Sequence, residues 1–355
     1  MGEAGIAVVV PSFRAKRTLR RSVESVARDA RAIVVFDGLD VAAEGAIADL
    51  PVEMLRMPAG SGASACRNAG LAQIEAPYVL FLDSDDYIEG PLLQAACRTA
   101  EETQADVVLA PFAFAYPDGS RQLCDPRLRY RETKPETLLR AWLSELFTPP
   151  CAVVWRHEFL QAIGGWDETI AKNQDGDLIY RALGRRPRIA FSTAGLGVYV
   201  QGDDPARITR RHDARALGSQ LRVLHRVRDM AAAQDFAVGP ELARAYYTLA
   251  RWAYTHEFDE IGRAAEQAAR DLGLAGEVGA PAHCALSAIL GLRGKQRLAK
   301  FARSAADFGA AMKERLWPIP LSSESTGAQQ LSAPISPTET AARSIRSTAA
   351  KARLG

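Results

Sequence analysis

Three aspartates within four positions close the apolar run in VLFLDSDDYIEG, residues 79–90. Val79, Leu80, Phe81 and Leu82 predict a buried strand, so Asp83, Asp85 and Asp86 gather negative charge at its exit. Hard divalent cations such as Mg²⁺ and Mn²⁺ take oxygen ligands, often one or two carboxylates plus substrate phosphates. Carboxylates separated by a single residue can divide that work, one holding a metal and the other meeting ligand hydroxyls. A local reading competes: Asp85 or Asp86 caps the helix expected from about Gly90. The stretch alone leaves both open.

Two further segments bear on the choice. Upstream, Gly60, Gly62 and Gly70 flank Arg67 and Asn68. Small residues let backbone approach a ligand, and a guanidinium offers paired donors to phosphate or carboxylate. Downstream, NQDGDLIYRAL carries Asp175 and Asp177 at the start of a helical pattern, where a carboxylate read by itself is an N-cap. Trp142, Trp155 and Trp166 read as core residues, since tryptophan is large and mostly buried.

The elements that must position these groups follow from periodicity. The first ~115 residues alternate β-rich runs (Ile6–Val10, Ala32–Phe36, Val52–Met57, Tyr78–Leu82, Asp106–Ala110) with helical stretches such as Thr18–Arg28 and Gly90–Thr103. That alternation predicts an α/β fold, a largely parallel sheet covered by helices on both faces. Ligands of such sheets bind at the carboxyl ends of the strands, where PSF, DGLD and DSDD stand. A mixed region to about residue 213 includes a helix near Glu136–Phe147 and a strand-like RIAFST. Amphipathic helices are expected over Ala214–Ala233, Gly239–Leu272 and about Ala282–Leu316, followed by a Ser-, Thr- and Pro-rich tail from 319 read as disordered.

Composition narrows the class. The 355 residues are 48% hydrophobic and 24% charged, with a net charge of +2, which gives no global bias toward nucleic acid. The charge is uneven: 22 basic against 28 acidic residues up to 204, then 22 against 14. The resulting −6 and +8 leave the second part suited to an anionic surface. Five scattered cysteines without CxxC spacing argue against a disulfide framework or zinc site and for a reducing, cytoplasmic setting. No apolar stretch reaches the ~20 residues of a bilayer span. The basic pattern GLRGKQRLAKFARSAADFGAAMKERLW permits either packing onto the rest of the protein or peripheral contact with anionic lipid.

VVVPSFRAKRTLRRSVESV, IVVFDGLD, SGASACRNAGLAQIEAPYVLFLDSDD and FLQAIGGWDETIAKNQDGDLIYRAL occur in this order. Together they resemble the successive motifs of family 2 glycosyltransferases, over roughly residues 6–200. The resemblance implies a GT-A fold, a Rossmann-like mixed and mostly parallel sheet, with a C-terminal α-helical extension here. Residues 1–115 would form the nucleotide-sugar-binding half, 116–213 the acceptor half, 214–318 the extension and 319–355 the tail. Pro11, Ser12 and Phe13 would lie beside the nucleotide base, Asp37 would recognise it, and Arg67 and Asn68 would belong to the donor site, with Arg67 near the diphosphate or base. In the DXD-like LDSDD, Asp83 and Ser84 would face the donor and Asp85 would bind Mg²⁺ or Mn²⁺. Asp175 would be the catalytic base, with Trp166 and Gln174 toward the acceptor. The implied reaction is inverting transfer from a nucleotide-diphospho-sugar, most commonly a UDP-sugar, to a glycan or lipid-linked hydroxyl.

The sequence departs from that pattern in places. Phe36 replaces the first of two usual aspartates, which leaves Asp37 with Asp40 as a compensating candidate. Gln174 replaces the usual glutamate before the base. The later Tyr-Arg-x-His pattern is displaced, with His212 reading as a surface residue. VLFLDSDD also imitates the nucleophile loop of haloacid-dehalogenase-like phosphatases, but followed by Tyr87 and far from the N-terminus. A non-catalytic glycan- or nucleotide-binding relative is the other alternative.

Overall fold

The computed structural model describes residues 5–202, 212–274 and 290–299. These belong to one compact unit, Met1–Ala302; a second unit, Arg303–Gly355, lies outside the described residues. The tail expected from 319, and most of the helical pattern 282–316, are therefore outside them too.

Strands and helices alternate at first: β1 (Ile6–Ser12), α1 (Leu19–Glu24), β2 (Arg31–Asp37), α2 (Val41–Ala46), β3 (Glu53–Met57), α3 (Ala63–Leu71) and β4 (Tyr78–Phe81). Next come β5 (Tyr87–Glu89), α4 (Leu92–Thr103), β6 (Val107–Leu109), β7 (Phe112–Ala115), β8 (Arg121–Cys124), α5 (Pro126–Tyr130) and α6 (Pro135–Leu143). The remainder is β9 (Val153–Arg156), α7 (His157–Ala162), α8 (Gln174–Gly184), β10 (Ile189–Phe191), β11 (Leu196–Val200), α9 (Ala214–Gln234), α10 (Gly239–Thr255) and α11 (Asp259–Asp271). Residues 290–299 form a further helical segment.

Seven strands make the central sheet in the order β10-β6-β9-β4-β1-β2-β3. All neighbours are parallel except those of β9, which runs antiparallel to β4 and β6. The core follows from the strand sequences. In IAVVVPS of β1 and AIVVF within β2, every side chain is apolar or small, as a sheet covered on both faces requires. Alternation divides them: Ala7, Val9, Ile33 and Val35 enter one core, and Val8, Val10, Val34 and Phe36 the other. The first core is closed by residues of α6, α8, α9 and α10, the second by residues of α1 and α4.

A second sheet, β5-β11-β7-β8, was not legible as such in the sequence. Its strands are short, and Arg121–Cys124 exposes three of its four residues. The central sheet takes β9 and β10 from beyond residue 115, so the two halves expected on either side of that point share one sheet. Two expectations need correction. The helix expected over Gly239–Leu272 is two helices, broken where Glu257 adopts φ 67°. The helix after the aspartates begins only at Leu92, so neither Asp85 nor Asp86 caps it.

Candidate active site

Four polar side chains from three separate segments meet beyond the carboxyl end of the central strands. Helix α3 supplies the first. Its Gly70 packs against β1, and a Cβ there would stand 2.4 Å from Val9 Cγ1. This close approach brings Arg67 of the same helix to the strand exit, 5% exposed. The guanidinium donates from Nη2 to Asp83 Oδ1 at 2.5 Å and from Nη1 to Gln174 Oε1 at 3.2 Å. It also lies 4.3 Å from the centroid of the Trp166 ring. Arg67 Nε remains buried without a hydrogen-bond partner, a donor suited to an anionic ligand.

Asp175 stands in the first turn of α8, beside Gln174. Burial pushes its carboxyl above the usual carboxylate range, and Asp83 adds to that, while the Arg67 guanidinium and the backbone amide of Gly176 oppose it. The helix is capped by Asn173 in the left-handed region, with no side-chain cap bond, so Asp175 does not act as an N-cap. Asp177 has a separate task. It is 2% exposed and accepts from Arg181 Nε at 2.8 Å and from Arg226 Nη1 at 3.0 Å.

The Gly164-Gly165-Trp166-Asp167 turn is built around Asn68. The Asn68 amide donates to the Trp166 carbonyl at 2.8 Å and accepts from Trp166 N at 2.9 Å. Gly165 has φ +61°, and a Cβ on it would lie 2.9 Å from Asn68 Oδ1. A side chain there would obstruct the tie. The Asn68 amide is thus occupied by this turn and by Glu168 Oε1 at 2.9 Å. Trp166 is 3% exposed, with Phe81 edge-on at 5.0 Å. Its face supports Arg67 and is not presented to an acceptor, which corrects the acceptor role expected for it. Trp142 and Trp155 are likewise core residues.

The aspartate loop separates into three roles. Asp83 and Asp85 are partly exposed, as is Ser84. Asp86 is fully buried, and its Oδ1 accepts from Val200 N at 2.9 Å, joining the loop to β11. Ser22 Oγ donates to the Asp83 carbonyl at 3.2 Å and Arg21 Nη2 to the Asp85 carbonyl at 2.9 Å, so α1 fixes the loop backbone. Among the described residues no group of three His, Cys, Asp or Glu side chains surrounds a metal position. Asp83 and Asp85 are hard oxygen donors, the type Mg²⁺ and Mn²⁺ accept in ones and twos when substrate phosphates complete the shell. The residues present fit such an ion.

The other expected donor contacts line the ends of β1 and β2. Pro11 and Ser12 are buried, and Phe13 is 58% exposed with the Arg14 guanidinium 5.0 Å from its ring centroid. Both Asp37 oxygens accept backbone amides, from Ser61 at 2.9 Å and Gly62 at 3.0 Å, so this carboxylate shapes the loop that enters α3. Phe36 is 1% exposed in the core, and Asp40 caps α2 by accepting from Ala43 N at 3.0 Å. Asp40 is therefore committed to its own helix and does not stand in for the carboxylate absent at 36.

The helical extension supports the site, a role the sequence did not suggest. Arg226 of α9 donates to Asp167 Oδ2 at 2.6 Å as well as to Asp177, and Arg222 Nη2 donates to the Thr169 carbonyl at 3.1 Å. Arg181 donates to the carbonyls of Ile163 and Gly165 at 2.6 and 2.7 Å. In segment 290–299, Arg293 and Arg297 pair with Asp259, and Leu292 is 1% exposed. This part of the basic pattern packs onto the preceding helices. His212 stacks on Trp252 and His256, with centroids 4.4 and 4.6 Å away.

Residues 7–163 match the family model described as "Glycosyl transferase family 2". The chain is 29% identical over 201 residues to the pre-mycofactocin glycosyltransferase of Mycobacterium tuberculosis, covering 54% of this chain and 42% of that protein. It is 25% identical over 219 residues to the uncharacterized glycosyltransferase EpsJ of Bacillus subtilis, covering 58% of this chain and 62% of that one. The matched stretches thus span less than two thirds of these relatives. It is also 28% identical over 155 residues to the poly(ribitol-phosphate) beta-N-acetylglucosaminyltransferase TarS of Staphylococcus aureus, covering 40% of this chain and 26% of that one. The crystal structure of TarS 1–349 with UDP-GlcNAc superposes with a TM-score of 0.53 at 16% identity, covering 75% of this chain and 91% of that one.

Proposed function

We propose that this chain, whose residues 7–163 match glycosyl transferase family 2, is a GT-A-fold nucleotide-sugar transferase that works by an inverting, metal-assisted reaction with Asp175 as general base. The observation that carries this reading is the convergence of Arg67, Asp83, Gln174 and Asp175 at one strand-end cluster.

Asp83 and Asp85 would hold a Mg²⁺ or Mn²⁺ ion together with the donor diphosphate. When bound, that ion supplies positive charge for the departing nucleoside diphosphate. Arg67 acts on the same charge. Its guanidinium is placed by Asp83 and the Trp166 ring, and its free Nε–H can donate to a phosphate oxygen. Asp175 accepts the proton of the acceptor hydroxyl as that oxygen bonds to the anomeric carbon and the bond to the diphosphate breaks. A carboxyl raised by burial is better matched to this proton than an exposed one. One displacement inverts the anomeric centre, and no protein nucleophile is needed.

A UDP-sugar is the donor and a glycan or lipid-linked hydroxyl the acceptor in this reading. The beta-N-acetylglucosaminyltransferase name of the TarS relative supports an N-acetylhexosamine donor. The protein would work on the cytoplasmic side, in solution or peripherally on the membrane. No described helix is long and apolar enough to cross a membrane.

The test is release of nucleoside diphosphate from a panel of nucleotide sugars with and without Mn²⁺ or Mg²⁺. Metal-dependent release from at least one donor is expected. Binding of nucleotides with no turnover of any donor would instead support the non-catalytic alternative.

A further inference from the structure

Beside the aspartate loop the second sheet and α1 enclose a groove of about 440 Å³, within the range of small-ligand sites. Arg21, Tyr87, Tyr116, Arg121 and Gln201 line it. No step of the transfer reaction described above uses them.

The groove is rich in hydrogen-bond donors. Arg21 is exposed, with its guanidinium 4.3 Å from the Tyr87 ring centroid and one donor bond, to the Asp85 carbonyl. None of the ion pairs of the described residues includes Arg21. Arg121 donates to Tyr87 Oη at 2.6 Å and to both Glu89 oxygens at 3.0 Å. Glu89 thus pairs with Arg121, and Asp85 and Asp118 also neighbour the lining residues. Gln201 Nε2 is buried and has no hydrogen-bond partner. Tyr116, 39% exposed, packs one side against Phe114 and adds an amphipathic ring. Spare guanidinium and amide donors and tyrosine rings together fit an oxygen-rich anion with a carbohydrate or polyol backbone.

We propose that this groove binds an anionic stretch, phosphate- or carboxylate-bearing, of an extended carbohydrate acceptor. The inference rests on the transferase reading. It adds an acceptor class and a place for the chain to lie, against the loop whose Asp85 carbonyl Arg21 holds.

Calorimetric titration of the full chain with a glycerol-phosphate oligomer, an oligogalacturonate and neutral maltohexaose tests it. At least one charged oligomer should bind ten-fold or more tightly than maltohexaose, and more weakly as salt rises. The two charged probes separate phosphate from carboxylate. Arg21→Ala and, independently, Gln201→Leu should each weaken the charged oligomer five-fold or more. Equal binding of charged and neutral oligomers, no binding of any, or undiminished affinity in both variants would overturn the groove assignment. Nucleotide-sugar turnover by the unmodified chain is followed in parallel. Turnover without charged-oligomer binding sinks this inference alone, whereas selective binding without turnover sinks the transferase reading and with it the acceptor role, leaving only an anionic-glycan groove.

Discussion

The Arg67 guanidinium lies 2.5 Å from Asp83 Oδ1 and 4.3 Å from the centroid of Trp166, so one buried cation joins the aspartate loop to the Gly-Gly-Trp-Asp turn. Arg67 is 5% exposed, whereas the Asp83 side chain is 30% exposed and open to ligand. The arginine is the fixed partner, and Asp83 can share its charge with a metal or a sugar hydroxyl.

Arg67→Lys is therefore not conservative. Lysine keeps the charge but loses the planar fork that reaches Asp83 and Gln174 together while lying on an indole. Nucleoside diphosphate binding should weaken by about ten-fold or more, a cost of about 1.4 kcal/mol. Arg67→Ala should in addition lower unfolding free energy by about 2 kcal/mol, less than for a fully buried pair because Asp83 is partly solvated. Isothermal titration and urea denaturation read the two effects. Unchanged nucleotide affinity in both variants would remove Arg67 from the donor site.

Asp175→Asn should reduce transfer by about 10³-fold while sparing donor binding, the range expected for loss of a general base. The pH dependence has a defined sign. The folded carboxyl titrates above its unfolded value, so its contribution to stability is full below the unfolded pKa and lost as pH rises through the folded one. The ionised form of Asp175 is a burden on the fold. Asp175→Asn should then melt at a higher temperature than wild type at pH 7, with the difference shrinking toward pH 3. Wild-type activity should fall on the acid side at a pH above the ordinary carboxylate range. A lower melting temperature for the variant at pH 7 would contradict the buried-carboxylate account.

The parallel sheet was legible because strands buried on both faces must be nearly continuous in apolar residues, as VVV of β1 and IVVF of β2 are. All five strand expectations of the first ~115 residues have counterparts, in β1, β2, β3, β4 and β6. What escaped was decided by long-range packing. Asp86 looks like a helix cap in sequence, yet it bonds Val200, 114 residues away. Asn68 reads as a ligand contact beside Arg67, but its amide serves the turn at Trp166. Arg226 sits in an amphipathic helix like any other arginine, and only the fold reveals its two carboxylates.

Gly70→Ala tests whether α3 must press this closely on the sheet. The added Cβ would meet Val9 Cγ1 at 2.4 Å and Val35 Cγ2 at 3.2 Å, within a core that has no slack. Overpacking of this kind costs about 1–3 kcal/mol, well beyond the gain alanine brings to a helix. Because Arg67 lies one turn earlier, nucleotide affinity should fall together with stability. The double variant Gly70→Ala/Val9→Ala should recover part of both, whereas no recovery would locate the strain elsewhere.

Arg226→Ala tests the support that the helical extension gives the site. Burial works against ionisation of Asp167, but bonds from Thr169 and Arg226 prevail and hold its carboxyl down at about 2. A depressed folded pKa contributes stability that is present above the unfolded value, near 4, and is lost as pH falls toward 2. Arg226 is 46% exposed, so solvent screening keeps its share to about 1 kcal/mol. Thr169 also retains part of the effect, since its hydroxyl bonds Asp167 at 2.7 Å. Asp177 keeps Arg181 at 2.8 Å and so is not left as a lone buried charge. The melting-temperature gap between wild type and Arg226→Ala should thus be a few degrees and constant above about pH 5, closing toward pH 2. In kinetics the turn carrying Trp166 loosens, and with it the ring that supports Arg67, so kcat and nucleotide affinity should fall together by several-fold. A stability gap independent of pH would show that Arg226 acts through packing alone and not through the Asp167 charge.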